Sequence, residues 1–110
     1  MKHTVVKNLV ANTDTTLFTV PQGYIAEVYM VFISNVSGST GAADFWWRKG
    51  GVDYAIIESK SLGSGEYIQF SNGSIIMQAG DALMFNSGQV MTVMASFDLI
   101  QAPPMYAFVN

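Results

Sequence analysis

Short runs of apolar and β-branched residues, separated by turn residues, make up most of the chain. Val, Ile, Thr, Tyr and Phe favour strands, and no stretch carries an apolar stripe at helical spacing. Short strands with a turn signal roughly every 8–12 residues predict an all-β, antiparallel fold, either a β-sandwich or a barrel. The predicted strands are residues 4–10, 16–20, 24–35, 44–49, 52–59, 67–71 and 89–101, together with the two apolar runs within 75–85.

Glycine, proline and aspartate mark the turns between these strands. Gly50-Gly51 predicts a hairpin, because both residues can adopt positive φ without steric cost. Pro21-Gln22-Gly23 ends the strand before it. The sequence Gln78–Asp81 predicts a second turn, in which Gly80 is left-handed and Asp81 hydrogen-bonds nearby backbone.

The strand at 24–35 has an unusual pattern of faces. Successive side chains of a strand point to opposite faces, and here both faces are apolar beyond Glu27. Strict alternation places Tyr29, Val31 and Ile33 on the outward face, where a neighbouring subunit is expected to cover them as a third layer. The predicted core residues are Val28, Met30, Phe32, Leu83, Phe85, Val93, Phe97 and Leu99.

Composition adds a reason to expect assembly. The chain has 110 residues, the size of one domain, and only 12% of them are charged while 50% are hydrophobic. The usual charged share is about 25%. No apolar run approaches the roughly 20 residues of a membrane helix, and the beginning of the chain does not read as an export signal. We therefore expect the surplus apolar surface to be buried against other protein chains, and first against copies of the same chain.

The charged residues disfavour nucleic acid as a partner. Formal net charge is −3, and of the five Lys and Arg residues only Arg48 and Lys49 are adjacent. Binding to a phosphate backbone normally requires clustered basic side chains. The chain has no cysteine, so neither disulfides nor thiolate metal sites are available.

Residues that carry chemistry are few and dispersed. His3 is the only histidine and lies near the start of the chain, whereas a general base must be held firmly in place. The eight acidic residues are not paired and lack calcium-loop spacing. No phosphate loop, nucleophile elbow or zinc pattern is present. The sequence predicts no enzymatic activity and no cofactor, and it leaves open whether distant acids converge around a cation.

Trp46-Trp47-Arg48 is the segment most suggestive of binding. Adjacent tryptophans in a strand point to opposite faces, so one faces outward, with Arg48 on the side opposite to it and Tyr54 across the hairpin. An exposed Trp beside Tyr can form a platform for a sugar ring. It can also form a protein interface, where Trp, Tyr and Arg are common hot-spot residues. Both interpretations remain open.

The last eight residues are expected to leave the domain formed by residues 1–102. Pro103-Pro104 removes two backbone donors and favours an extended conformation at Ala102. Residues 103–110 are therefore predicted to be an extended arm, and its apolar Met105, Tyr106 and Phe108 are predicted to contact a neighbouring subunit or another chain of an assembly. The alternative is that the arm folds back on its own sandwich.

A family resemblance is carried by several turns and the strands around them. Residues 19–23 read T-V-P-Q-G and lead into a long strand that ends in Asn and a Ser/Gly loop. Gly65-Glu66 precedes a strand, and residues 79–83 read A-G-D-A-L. Over roughly residues 13–101 the chain resembles small β-sandwich virion proteins of tailed bacteriophages. The Trp46-Trp47 pair and the last residues depart from that pattern.

The resemblance implies a jelly-roll-like antiparallel β-sandwich of about eight strands. It also implies a capsid decoration (cement) protein, often trimeric, that binds the major capsid protein between subunits and stabilises the shell. Such a protein is made in the host cytoplasm and resides in the virion. The alternative is a tail or fibre module that binds a host-surface glycan through the aromatic hairpin. A free-standing carbohydrate-binding module is a third possibility, which the lack of an export signal disfavours.

Overall fold

Two antiparallel sheets face one another in the computed structural model, which describes residues 1–71 and 73–102. No helix is present in this part of the chain, so the prediction of an all-β antiparallel sandwich is confirmed. The strands are β1 (Lys2–Asn8), β2 (Thr15–Thr19), β3 (Tyr24–Asn35), β4 (Gly41–Lys49), β5 (Val52–Leu62), β6 (Tyr67–Phe70), β7 (Ile75–Met77), β8 (Ala82–Ser87) and β9 (Met91–Gln101).

The order of strands in the two sheets is that of a jelly roll. The first sheet runs β1-β9-β3-β6, with β7 also paired to β3, and the second runs β2-β8-β4-β5. β6 and β7 pair with successive parts of β3, so they act as one strand that is interrupted between Phe70 and Ile75. Counted in this way, eight strands form the two four-stranded layers of a jelly roll, as expected.

The core lies between the inner faces of the two sheets. The rings of Phe45 and Phe85 stack at 4.8 Å between centroids, and those of Phe18 and Phe97 stack at 4.1 Å. Five of the predicted core residues are confirmed as buried, and these are Val28, Leu83, Phe85, Val93 and Phe97. Leu99 is half-buried and packs against the same core.

A β-bulge in β3 overturns the predicted faces of that strand. Pairing between β3 and β9 shifts register between Val28 and Met30. The bulge adds one residue, so the inward positions change from even to odd numbers beyond it. Val31 and Ile33 are therefore 2% and 1% exposed in the protein's own core, and the prediction that they face a neighbouring subunit is wrong.

The same bulge corrects two predicted core residues. Met30 and Phe32 are half-buried on the outer side of the first sheet, where the ring of Phe32 stacks on Tyr67 at 5.4 Å. One apolar face of β3 thus lies in the core, and the residues that form it change from even to odd numbers at the bulge. The other apolar face lies outward, beside β6. A third layer is not needed to explain the pattern.

The predicted turns are confirmed. Gly50 and Gly51 have φ of 59° and 79°, which fits the tight hairpin between β4 and β5. Gly80 has φ of 88°, and the carboxylate of Asp81 accepts the backbone N–H of Gln78 at 3.0 Å. The predicted arm at 103–110 lies outside the described residues, so the arm and the domain boundary before it stay predictions.

Candidate functional site

The hairpin of β4 and β5 is uncovered along most of β5. In β5 only Leu62 is buried, and ten of its eleven residues are exposed or half-exposed. β5 is the last strand of its sheet and pairs only with β4 among the described strands. The hairpin therefore presents two faces and one free edge, and its two faces differ in chemistry.

The inner face of β5 is apolar and lacks a covering layer. Val52, Tyr54 and Ile56 alternate along the strand and are 52%, 54% and 39% exposed. Tyr54 pairs with Trp47 across the hairpin, and Trp47 packs against the core. Directly paired residues share a face, so Tyr54 lies on the core side of the second sheet, where the first sheet does not cover it. We call Val52, Tyr54 and Ile56 the uncovered strip.

An apolar cleft of about 240 Å³ opens beside the uncovered strip. Buried Phe45 forms part of its lining together with Ile56 and Phe70, and Phe70 is 38% exposed. The cleft lies where β6 and β7 are interrupted, opposite the bulge at Tyr29 and Met30, both of which line it. The interruption between β6 and β7 and the bulge in β3 lie side by side, and together they open the edge of the core.

The outer face of the hairpin carries a polar groove of about 410 Å³. Trp46 is opposite Met84 on one side and Ala55 on the other. Because Ala55 is small, the indole has open space beside it. We call this surface the Trp46 groove, and its lining residues are Asp14, Asp44, Trp46, Asp53, Ala55, Ile57, Glu58 and Asn86.

The charges of the Trp46 groove are only partly compensated within the chain. Arg48 donates to both carboxylate oxygens of Asp53, at 2.7 and 3.2 Å. The hydrogen bond from Arg48, together with its positive charge, lowers the pKa of Asp53 below the ordinary aspartate value. Asp44 accepts the backbone N–H of Ser59 at 2.8 Å, and Asp14 accepts the side-chain amide of Asn86 at 2.6 Å.

The indole N–H of Trp46 is buried and makes no hydrogen bond of normal geometry. Arg48 therefore holds Asp53 on the outer face, beside Trp46.

Trp47 points to the other side of the sheet. Its indole N–H donates to the buried carboxylate of Asp81 at 3.2 Å, and the ammonium of Lys49 lies 3.5 Å from the same carboxylate. The ammonium of Lys49 also lies 5.6 Å from the centre of the Trp47 ring. These contacts tie the end of the hairpin to the turn before β8.

The predicted aromatic platform is therefore divided between two faces. Trp46 faces the outer groove, whereas Trp47 and Tyr54 lie on the inner side. A single sugar ring cannot stack on all three. The prediction that Arg48 lies opposite the outward tryptophan is also wrong, since Arg48 binds Asp53 beside Trp46.

The predicted interface residues have different positions. Tyr29 is half-buried beside the apolar cleft, and Tyr54 belongs to the uncovered strip. Trp46 lines the groove, and Arg48 binds Asp53, which also lines it. Met105, Tyr106 and Phe108 lie outside the described residues. Sequence reasoning missed Val52, Ile56 and Phe70. The apolar alternation of β5 was visible, but the lack of a covering sheet was not.

Four acids, Asp14, Asp44, Asp53 and Glu58, come together in the Trp46 groove from three separate stretches of the chain, a convergence that the sequence had left open. In the described part of the chain, no group of three or more acidic or histidine side chains has the geometry to hold a metal ion.

His3 stacks on the ring of Phe97 at 5.5 Å. No helix in residues 1–71 and 73–102 is long and apolar enough to cross a membrane.

Comparison with models of known protein families gave no match, and comparison with curated protein sequences gave none either.

Proposed function

We propose that this protein is a structural protein of a bacteriophage virion, specifically a capsid decoration (cement) protein that binds between capsid subunits and stabilises the shell. It acts without catalysis, cofactor or nucleic acid, and its partners are copies of itself and the major capsid protein. The resemblance to phage virion proteins supplies the class of protein.

The observation that carries the proposal is the uncovered strip with its adjoining cleft. Val52, Tyr54 and Ile56 each expose more than a third of their surface, on a chain with only 12% charged residues. Contiguous exposed apolar surface of this kind marks protein interaction sites. A cleft with an aromatic wall is also the type of pocket that accepts an anchor side chain from a partner.

The charged residues support a protein partner over nucleic acid. The only adjacent basic pair is Arg48-Lys49, and both of its members are paired with carboxylates, Arg48 with Asp53 and Lys49 with Asp81. Little basic charge remains on the hairpin to bind a phosphate backbone.

The residues behind the family resemblance have structural roles in this chain. Asn35, at the end of β3, donates to the backbone carbonyls of Ser39 and Leu62 at 2.8 and 2.9 Å. Asp81 joins the turn before β8 to Trp47. A shared pattern of such residues supports a shared scaffold, and the proposed role follows from the surface that this scaffold exposes.

A capsid-addition experiment tests the proposal. Purified protein is mixed with particles assembled from the major capsid protein of the same phage alone, and bound protein is measured after sedimentation. Binding at saturable stoichiometry, with raised thermal stability of the particles, is expected. Phe70→Ser should weaken binding, whereas Ile100→Ser, a change at an exposed apolar residue away from the cleft, should not. Failure of the wild-type protein to bind would reject the decoration role.

Oligomeric state gives a second measurement. The resemblance implies a trimer, and light scattering at micromolar concentration should give a mass above one chain. A stable monomer would restrict assembly to the capsid surface.

A second candidate function is that of a tail or fibre module that binds a host-surface glycan. The Trp46 groove favours it, because an aromatic ring lies among carboxylate and amide groups that can hydrogen-bond sugar hydroxyls. A volume of about 410 Å³ is within the usual range of ligand sites. Trp46→Ala should abolish glycan-array binding, whereas Tyr54→Ala, a change on the opposite face, should leave it intact. Absence of wild-type binding to any array glycan would remove this candidate.

A further inference from the structure

We propose that two copies of the chain pair antiparallel through the free edges of β5, with Tyr54 opposite Tyr54 of the second copy. The two second sheets would then form one continuous sheet across a two-fold axis. This deepens the proposed function, on which it rests for its role in the virion, by identifying one contact between copies. A two-fold contact joins copies in pairs and is distinct from the three-fold contacts of the trimer that the resemblance implies. The pairing itself is argued from the edge of β5 and can be tested without a capsid.

β5 is the longest of the outer strands in the described part of the chain. Natural proteins protect sheet edges with short or interrupted strands, bulges and lysines. β2 has five residues and a register shift, and β6 and β7 are short and interrupted. β1 is longer, with Lys2 and Lys7 near its ends. β5 has eleven residues, and its pairing with β4 is regular from Val52 to Ala55.

The features of β5 that hinder pairing with a further strand lie in the second half of the strand. Register shifts follow Ala55, and Ser59 has a positive φ of 52° just before Lys60. These irregularities limit further pairing to the region around Tyr54. The segment from Val52 to Ile56 contains no proline or lysine, and its one charged residue, Asp53, is bound by Arg48 on the outer face.

Side chains alternate between the two faces of a strand, and this alternation limits the registers in which β5 can pair with β5 of a second copy. A two-fold axis places antiparallel strands opposite one another, and directly opposed residues share a face. The uncovered strip is on the inner face, and Asp53 and Ala55 line the outer groove. Only registers that oppose inner residues to inner residues keep the apolar side chains together, since a one-residue slip reverses every face.

Three such registers bring the regular segments together, and one of them opposes apolar residues throughout the inner face. Centring the axis on Asp53 opposes two carboxylates. Centring it on Ala55 opposes Val52 to Glu58. Centring it on Tyr54 opposes the two tyrosines and places Val52 opposite Ile56 of the second copy. Aromatic and aliphatic pairs of this type stabilise antiparallel sheets, whereas like charges directly opposed destabilise them.

A single introduced cysteine can report the register, because the chain has no cysteine of its own. Directly opposed residues have Cα atoms about 4.5–5.5 Å apart, within the range of about 4.4–6.8 Å that a disulfide spans. Tyr54→Cys should therefore give a disulfide-linked dimer under mild oxidation. Ala55→Cys should not link to itself, because two copies of residue 55 would be diagonal and about 7–8 Å apart.

A mixed experiment provides the positive counterpart of that control. Ala55 is opposite Asp53 of the second copy in the proposed register, so Ala55→Cys mixed with Asp53→Cys should give the heterodimer. Self-linking of Ala55→Cys or Asp53→Cys in preference to Tyr54→Cys would overturn the register. Monomers in all of these reactions would overturn the pairing.

A second measurement avoids any dependence on the removed tyrosine ring. Tyr54→Lys would oppose two ammonium groups across the axis, so the concentration-dependent rise in mass of the wild-type protein should be lost in light scattering. Tyr67→Lys, on β6 and 63% exposed, is the matched control and should associate as the wild type does. Equal association of both variants would overturn the proposal. Capsid binding is measured separately, so failure of the pairing and failure of the decoration role give different results.

Discussion

The indole N–H of Trp47 donates to the carboxylate of Asp81 at 3.2 Å, and Asp81 is only 4% exposed. Through this bond β4 is held to the turn before β8, which also uses Asp81 to accept the backbone N–H of Gln78. A buried carboxylate is tolerated when donors surround it. Here three groups do so, since the ammonium of Lys49 is 3.5 Å away.

Removing the carboxylate should destabilise this end of the sandwich. Asp81→Ala leaves two N–H groups without their acceptor, and we expect a loss of about 1–3 kcal/mol in the free energy of unfolding, measured by chemical denaturation. Trp47→Phe removes one donor only and should cost less. In Asp81→Asn the Trp47 indole N–H resonance should shift, and an unchanged resonance would contradict the observed bond.

Asn35, the last residue of β3, is expected to contribute to stability as much as Asp81 does. Its side chain donates to the carbonyls of Ser39 and Leu62 and accepts the backbone N–H and hydroxyl of Ser37. The residue is fully buried. Asn35→Ala should lower the free energy of unfolding by about 1–3 kcal/mol. Ser37→Ala, which removes one of these partners, is the milder control and should have a smaller effect.

Because of the bulge in β3, truncating a smaller side chain is expected to cost more stability than truncating the larger one next to it. Ile33→Ala should cost about 2–5 kcal/mol, because the side chain is 1% exposed in the core. Phe32→Ala removes a larger side chain but should cost less, since Phe32 is half-buried on the outer face. Denaturation curves of the two variants decide the matter. A greater loss for Phe32→Ala would mean that β3 alternates without the bulge.

The pair of Arg48 and Asp53 gives a pH-dependent prediction. Arg48 holds the pKa of Asp53 below the ordinary aspartate value in the folded protein. The pair's contribution to stability is therefore present above the unfolded-state pKa and is lost as pH falls through the lower folded-state pKa. Because the pair is exposed, the effect on stability should be small.

An NMR titration measures this shift directly. In Arg48→Gln the titration midpoint of Asp53 should rise toward the ordinary value. The pKa of Asp98 is lowered mainly by its hydrogen bond from the N-terminal amino group, so its midpoint should not respond to that substitution. An unchanged Asp53 midpoint would show that the observed ion pair does not persist in solution.

Local pattern was sufficient for the turns and for most strands. Gly50-Gly51 and Gly80 adopt the positive φ values that their turns require, because few other residues reach that conformation without strain. The strict alternation of β9 correctly identified Val93 and Phe97 as core, since a strand without a bulge has only two faces.

The candidate surfaces depend on contacts between distant parts of the chain, and no local sequence pattern contains these contacts. The register shift after Val28 arises from pairing with β9, and it moved Val31 and Ile33 from the predicted interface into the core. The Trp46 groove combines acids from β5 and β4 with Asp14 from the segment before β2.

The sequence by itself determined which stretches form strands and turns, because backbone preference and side-chain alternation act between near neighbours. The tertiary structure alone decided which apolar residues stay uncovered. Val52, Tyr54 and Ile56 have the alternation of a core strand. They remain exposed because the first sheet does not extend over β5. Burial depends on what lies opposite a side chain, and that is set by the packing of the two sheets.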